Sequence, residues 1–522
     1  MKASRIIGFI FSIILVLATI CQVYPKEGIT VFDKKFLFPD IHEVLSPKSS
    51  VKVSAEDELK KVEESLALFV KDSLAQVARA DSLALVDTIR TYAKFFREHS
   101  SRFHLPNDGS PNGLFPFFQA LENCKSKKEV IHILHYGDSQ IEGDRISGYI
   151  RQSFQEKFGG WGPGLIPAIQ PIPSSAISQS CSDSLPRFLI SGTLRQKAEH
   201  NRYGALGQVA EMSGVCSISV SAREMKTTFS RTKKFSNIKL FVGNNQGNFM
   251  ATMVAGGKDK GTQYVSTSKK GLTIMSWNLD TIISRFTLRL SGTAEIYGIS
   301  VDGKYGVAVD NVPMRGSSGT FFSSIDKGTM QPMLKALNTR LILMEYGGNS
   351  VPYLTSDKTI SGYKKTMSQQ LKYMKRIYPD AQYMLIGPAD MSLVMDGKLQ
   401  TYPKLEIVID SLKEAAWENG AMFWDMYQVM GGKGSMQKWV SNQPAWAASD
   451  YLHFTRKGAD RISEVFVETM ANYYDYYCFW KRHDEKERAY IEDLLMSMDL
   501  TEKTEQTDET EKTEGTEKTE KK

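Results

Sequence analysis

The chain has 522 residues, 41% of them hydrophobic and 24% charged, enough apolar material for two or three packed domains and too much for a disordered chain. Its 65 Lys and Arg against 59 Asp and Glu leave a net charge of +6, a small excess with no basic block to gather it, which argues against a nucleic-acid partner. The 5 cysteines, Cys21, Cys124, Cys181, Cys216 and Cys478, form no CxxC pair, which argues against a zinc ribbon or a thioredoxin-type site.

Lys2 and Arg5 precede an uncharged run from Ile6 to Val23, which reads as either a signal peptide or a membrane anchor. No AxA-like cleavage site stands before Pro25, and Leu17-Ala18-Thr19-Ile20 before Cys21 only loosely resembles a lipoprotein signal. Either reading of 1–25 exports the remainder to the periplasm or cell envelope, anchored at the inner membrane if the segment is retained. There a Cys181 to Cys216 disulfide is permitted. Residues 26–112 form a helical N-terminal region, in which Ala55 to His99 places apolar residues at three- and four-residue steps. Such an amphipathic helix either lifts the rest off a membrane or packs on the main domain.

A turn cluster at Asn107 to Asn112, a helix around Leu114 to Asn123 and an apolar strand from Val130 to Tyr136 open an α/β domain, whose first part spans 113–164. Residues 165–305 break the rhythm with short Ser/Thr-rich apolar segments, SISVSA, IKLFVG, FMATMV and RFTLRL, separated by turn signals such as Gly243-Asn244-Asn245 and Gly256-Gly257. They read as a β-sandwich inserted in a loop of the α/β domain. In 306–480 strands are expected at Val307 to Val312, Arg340 to Tyr346, Gln382 to Ile386 and Ala421 to Asp425. Helices are expected near Met330 to Leu337, Gly362 to Tyr378 and Tyr402 to Asn419, with a last one from Arg456. With the strand at Val130 this makes about five parallel strands in a three-layer α/β/α sandwich. Residues 481–522 are expected to be a charged disordered tail, and Thr501 to Lys522, with threonine recurring among Glu and Lys, has no apolar residue to offset its chain entropy.

The first strand runs into Gly137-Asp138-Ser139-Gln140, which puts Ser139 at the carboxyl end of a central strand, where open α/β sheets build their sites. Taken alone, Gly-Asp-Ser is ordinary turn chemistry. A serine hydroxyl is a weak nucleophile until a base takes its proton, so a histidine held by a carboxylate must lie elsewhere. Of the 8 histidines, His42, His99 and His104 lie upstream of the sheet, His200 in the insertion and His483 in the charged segment near the end. His132 and His135 fall on opposite faces of the first strand and read as packed core residues. His453 lies in a loop before the last helix with Asp450 three residues upstream, a spacing at which a turn lets the carboxylate reach Nδ1. Ester cleavage also builds negative charge on the carbonyl oxygen and needs aimed N–H donors. Asn349, in Glu345-Tyr346-Gly347-Gly348-Asn349-Ser350, and the glycines of Arg315-Gly316-Ser317-Ser318-Gly319 follow strands and suit that purpose.

This order, GDS, a glycine turn, GxN and DxxH, resembles the four motif blocks of the SGNH hydrolases, also called the GDSL superfamily. The resemblance covers roughly 115–165 and 305–475. It implies Ser139 as nucleophile, Asp450 and His453 as the rest of a triad, and an oxyanion hole of Ser139, Gly319 and Asn349, with Gly316 as the alternative glycine. Ser350 departs from the commoner GxND pattern. The stretch His135 to Pro167 is similar to peptidoglycan O-acetylesterases of this type, in which a carbohydrate-binding-like β-domain is inserted after the serine block. The resemblance therefore implies a serine esterase that removes O-acetyl groups from a cell-envelope polysaccharide such as peptidoglycan, with no metal or cofactor. Two other functions stay open: an O-acetyltransferase on an exported polysaccharide, partnered by a membrane acyltransferase, and a non-catalytic glycan-binding protein. In the latter, Tyr203, Tyr264 and Trp277 are either sugar-stacking or core residues.

Overall fold

The computed structural model describes residues 82–498 apart from 107, 108 and 268, together with scattered positions between 12 and 36. Residues 1–87 and 88–522 are separate units. In the first, a hairpin pairs Ile29–Val31 with Lys34–Phe36. Most of the Ile6 to Val23 run, the 55–81 part of the helix expected from Ala55 to His99 and the tail from Thr501 lie outside the described residues, while 82–98 of that helix is present. The tail expected to be disordered from 481 is instead helical over 485–498, because Ile491 and Leu495 give it an apolar side to bury. Among the described residues no helix is long and apolar enough to cross a membrane.

The centre of the second unit is a sheet of strands β1 (Val130–Gly137), β2 (Gly306–Pro313), β3 (Thr339–Glu345), β4 (Gln382–Ile386) and β5 (Met422–Trp424). Their spatial order is β2-β1-β3-β4-β5, all neighbours being parallel. A short antiparallel strand, Phe103–His104, closes the β5 edge. The strands are mostly apolar because both faces are covered. Ile131, Ile133, Leu341 and Leu343 enter one core with helices α1 (Phe115–Ser126), α2 (Ser147–Phe158) and α6 (Arg456–Lys481). Leu134, Tyr136, Ile342 and Met344 enter the other with α3 (Lys327–Ala336), α4 (Asp357–Ile377) and α5 (Leu405–Glu418). Every expected strand and helix of this part is present, displaced at its ends by a few residues.

The chain leaves β1 for β2 on one side and reaches β3 on the other. This reversal opens a crevice at the carboxyl ends of β1 and β3, the position where such sheets bind ligands.

The insertion is an antiparallel sheet built around Gln208–Ala222 and Arg285–Asp302, paired from Ser221↔Arg285 to Ala210↔Ile296. Phe249, Ala251, Met253 and Ala255 alternate inward along one strand, joining residues of Phe235–Asn245 and Lys269–Ile283 in a single apolar core. Gly256-Gly257 forms the expected turn, with φ of +60° and +72°. Gly243-Asn244-Asn245 does not; it continues the strand Phe235–Asn245, opposite Lys269 to Leu272. Gly243 is there because a Cβ would lie 2.4 Å from the Gly271 carbonyl oxygen, a close backbone approach that imitates a turn signal in sequence.

The insertion is seated firmly on the α/β part. Gly162 has φ +91°, and a Cβ there would meet the Val301 carbonyl oxygen at 2.2 Å, so the Gly-rich segment before Leu165 lies against the strand that returns from the insertion. Tyr136 of β1 donates to the Ala205 carbonyl at 2.7 Å, and Tyr203, Phe241 and Tyr297 share a core with Leu134 and Tyr136. His132 of β1 places Nδ1 2.8 Å from Asp310 and Nε2 3.6 Å from Asp302. Burial alone would lower its pKa, but the two carboxylates outweigh that and leave it raised to about 9. Cys181 and Cys216 face each other as free thiols, Sγ to Sγ 2.8 Å.

Candidate active site

Ser139 follows β1 by two residues. The Asp138 side chain accepts from the Gln140 N–H at 2.9 Å and so begins the 3-10 turn Ser139–Asp144. The turn holds the Ser139 hydroxyl at the crevice. From the far end of the chain, Asp450 accepts from the backbone N–H groups of Leu452 and His453, both at 3.0 Å, with one carboxylate oxygen. Its other oxygen is 2.7 Å from His453 Nδ1. His453 Nε2 then lies 2.8 Å from Ser139 Oγ. With Nδ1–H donated to the carboxylate, Nε2 carries the lone pair that a serine proton needs. Burial raises the pKa of Asp450, but the hydrogen bonds from His453 and Leu452 outweigh it and hold the carboxyl below its ordinary value.

Asn349 follows the Gly347-Gly348 turn at the end of β3. Its amide Nδ2 donates to Asp138 at 2.6 Å and to the Ser317 carbonyl at 3.3 Å. Asp138 is itself buried, which pushes its pKa up to about 7, with the neighbouring Glu345 adding to the rise and the Gln140 and Asn349 hydrogen bonds opposing it. A cavity of about 220 Å³ is lined by Ser139, Gln140, Asn349 and His453, with Tyr353, Tyr402 and Pro388 around them.

Four of the residues expected from sequence, Ser139, Asn349, Asp450 and His453, therefore converge. Gly319 does not join them in lining the cavity. It is buried with φ +75°, its N–H donates to Ser317 Oγ at 3.3 Å, and a Cβ would lie 2.5 Å from the Tyr346 ring. Gly316 has φ +73° beside Thr193. The loop meets the site through the Ser317 carbonyl on Asn349 and through Arg315, which holds Glu142 of the serine turn with two hydrogen bonds at 2.8 and 2.6 Å.

Of the other histidines, His135 bridges Glu345 and Ser147, each at 3.0 Å, inside the core, as expected. Burial pushes the pKa of His104 down to about 4. His99 and His483 each place Nδ1 2.9 Å from a backbone carbonyl of their own helical turn, and His200 lies near Glu211 and Glu295. His42 lies outside the described residues. Tyr203 and Trp277, 2% and 4% exposed, are core residues, while Tyr264 is 71% exposed. Among the described residues no group of His, Cys, Asp and Glu could hold a metal ion.

Sequence reasoning missed Asp138, Gln140 and Arg145. Gln140 and Arg145 hydrogen-bond backbone groups more than three hundred residues away in sequence, and no local pattern announces such partners.

No family model matches the chain, and no curated protein matches it. Among solved structures the chain is similar to a peptidoglycan O-acetylesterase, at a TM-score of 0.57 and 20% identity over 72% of this chain and 99% of that one. Fainter likenesses are to a structure described as a GDSL-like lipase from Parabacteroides merdae (TM-score 0.26, 18% identity, 32% of this chain and 74% of that one) and to a family 2 carbohydrate esterase with a carbohydrate binding domain from Corynascus thermopiles (0.24, 13%, 56% and 99%). Only the first bears on the fold, and it shows that this chain shares the fold of that esterase over most of that protein's length.

Proposed function

We propose that the chain is a serine-dependent carbohydrate esterase of the SGNH type that removes O-acetyl groups from a cell-envelope polysaccharide, with peptidoglycan as the substrate class. The observation that carries this is the relay from Ser139 Oγ to His453 Nε2 at 2.8 Å and from His453 Nδ1 to Asp450 at 2.7 Å, beside the Asn349 amide at a cavity. Support for the substrate class comes from the shared fold. The five parallel strands with a core on each face support the three-layer reading, and the common core of the insertion supports a β-sandwich module. The protein is read as exported.

In the first step Ser139 Oγ attacks the acetyl carbonyl carbon as its proton passes to His453 Nε2. The oxyanion is met by the Ser139 N–H and by the Asn349 amide, which gives up its longer hydrogen bond, 3.3 Å to the Ser317 carbonyl, to do so. The intermediate collapses, the C–O bond to the sugar breaks, and His453 returns the proton to the sugar oxygen. Water, deprotonated by His453, then attacks acetyl-serine, and acetate leaves as Ser139 regains its proton.

The uncharged run Ile6 to Val23 favours one other reading, a membrane-anchored transferase in which a sugar hydroxyl replaces the water. Acetate release from O-acetylated peptidoglycan, compared with acetylation of added glycan, separates the two. Ser139→Ala is expected to abolish both acetate release and p-nitrophenyl acetate hydrolysis without loss of thermal stability; full activity in that variant overturns the assignment.

A further inference from the structure

The base of the relay stands on an exposed stretch of chain. Asp450 and His453 side chains are 46% and 35% exposed, and a hydrogen bond so placed is worth too little to fix a loop. The loop's own bonds are short-range: Ala448 N–H to the His453 carbonyl at 2.8 Å and Tyr451 N–H to the Ala448 carbonyl at 3.1 Å. They shape the turn, and Phe454, 2% exposed, seats its far end in the core that also holds Ile141 of the serine turn, which places the loop without fixing the His453 ring against Ser139. Ser392 N–H on the Tyr451 carbonyl, at 3.2 Å, ties its outer side to the chain after β4.

The ties to the serine come from the serine turn itself. The Gln140 side chain donates through Nε2 to the Leu452 carbonyl at 2.6 Å and accepts from the Phe454 N–H at 3.3 Å through Oε1. One amide thus grips the backbone on both sides of His453. Arg145, five residues further along, donates to the Phe454 carbonyl at 3.1 Å and also to the Ser139 carbonyl. Its third hydrogen bond, to the Glu142 carbonyl at 3.1 Å, folds the serine turn around it.

We infer that Gln140 is a positioning residue: its side-chain amide clamps the peptide groups flanking His453 and thereby sets the imidazole against Ser139, with Arg145 as a second tie. The inference rests on the esterase reading. It explains why the position after the serine carries a primary amide, since an amide has a donor and an acceptor on one planar group and can satisfy a carbonyl and an N–H two residues apart. It also explains how residues so distant in sequence keep a 2.8 Å contact, when displacement by about 1 Å costs on the order of a hundredfold in rate.

Gln140 also lines the cavity, so a substrate contact is the competing role, and the two separate in kinetics. Gln140→Met keeps the length and apolar stem but neither hydrogen bond; Gln140→Asn keeps the amide on a stem too short to span both partners. Both are expected to fold. Each is expected to lower kcat for p-nitrophenyl acetate and for O-acetylated glycan by about tenfold or more, with KM within about twofold. The rate at which a fluorophosphonate labels Ser139 is expected to fall by a similar factor, while the fraction finally labelled stays complete. A kcat within threefold of wild type, a loss confined to KM, or failure of both variants to fold overturns the inference, since the half-buried Gln140 side chain is part of neither apolar core. Wild-type protein and Ser139→Ala run alongside. An inactive, unlabelled wild type sinks the esterase reading, whereas an active wild type with an undiminished Gln140→Met sinks the clamp alone.

Discussion

At the scale of single residues, what distinguishes this serine from any other in a Gly-Asp-Ser turn is the company it keeps. Asp138, buried and with its pKa raised to about 7, accepts from both Gln140 N–H and the Asn349 amide. The same carboxyl therefore starts the turn that presents Ser139 and orients the amide that faces the cavity. In the proposed mechanism Asn349→Ala removes a donor to the developing oxyanion, and it is expected to lower kcat by about a hundredfold, or about 3 kcal/mol, with little change in KM; steady-state kinetics on p-nitrophenyl acetate measure both. Side chains with a chemical signature, a hydroxyl after glycine, an imidazole three residues past an aspartate, an amide after two glycines, were legible in sequence for that reason. Gly319 was not settled by sequence, because a backbone N–H has no residue identity and its direction is decided by packing, here against Tyr346.

At the scale of elements, β1 delivers the serine and β3 the amide, and the crevice between them follows from the strand order. The repeating apolar runs made these strands readable, since both faces are buried. The insertion was harder to read: Gly243 marks a close strand contact and Gly256 a turn, yet both look alike in sequence. Besides the shared core, two further devices join insertion to sheet. Gly162, at φ +91° against the Val301 carbonyl, leaves no room for a methyl group. Gly162→Ala is expected to destabilise the fold by about 3 kcal/mol, read as a lower denaturant midpoint. His132, charged between Asp310 of β2 and Asp302 of the returning strand, is the other. Its folded pKa of about 9 lies above its ordinary 6.5, so the stability it contributes is complete below pH 6.5 and lost as pH rises through 9. The thermal midpoint of wild type is expected to fall across that interval, and the fall to shrink in His132→Gln.

At the scale of the whole molecule, the distribution of labour is plain. The parallel sheet positions the chemistry, and the antiparallel insertion shares its core through Tyr203, Phe241 and Tyr297, closely enough that removing it would expose the face on which β1 rests. Tyr203 and Trp277 illustrate what sequence alone leaves open: an aromatic in a β-rich segment serves a core or a ligand equally well, and burial decides for the core. The claim on which everything else depends is that Ser139 becomes covalently acylated. Rapid acid quench of wild-type protein turning over p-nitrophenyl acetate, followed by peptide mapping by mass spectrometry, tests it directly. A single acetyl group on Ser139, absent from Ser139→Ala, is the result expected; turnover with no acetyl on Ser139, or with acetyl on another nucleophile that tracks the rate, would contradict it.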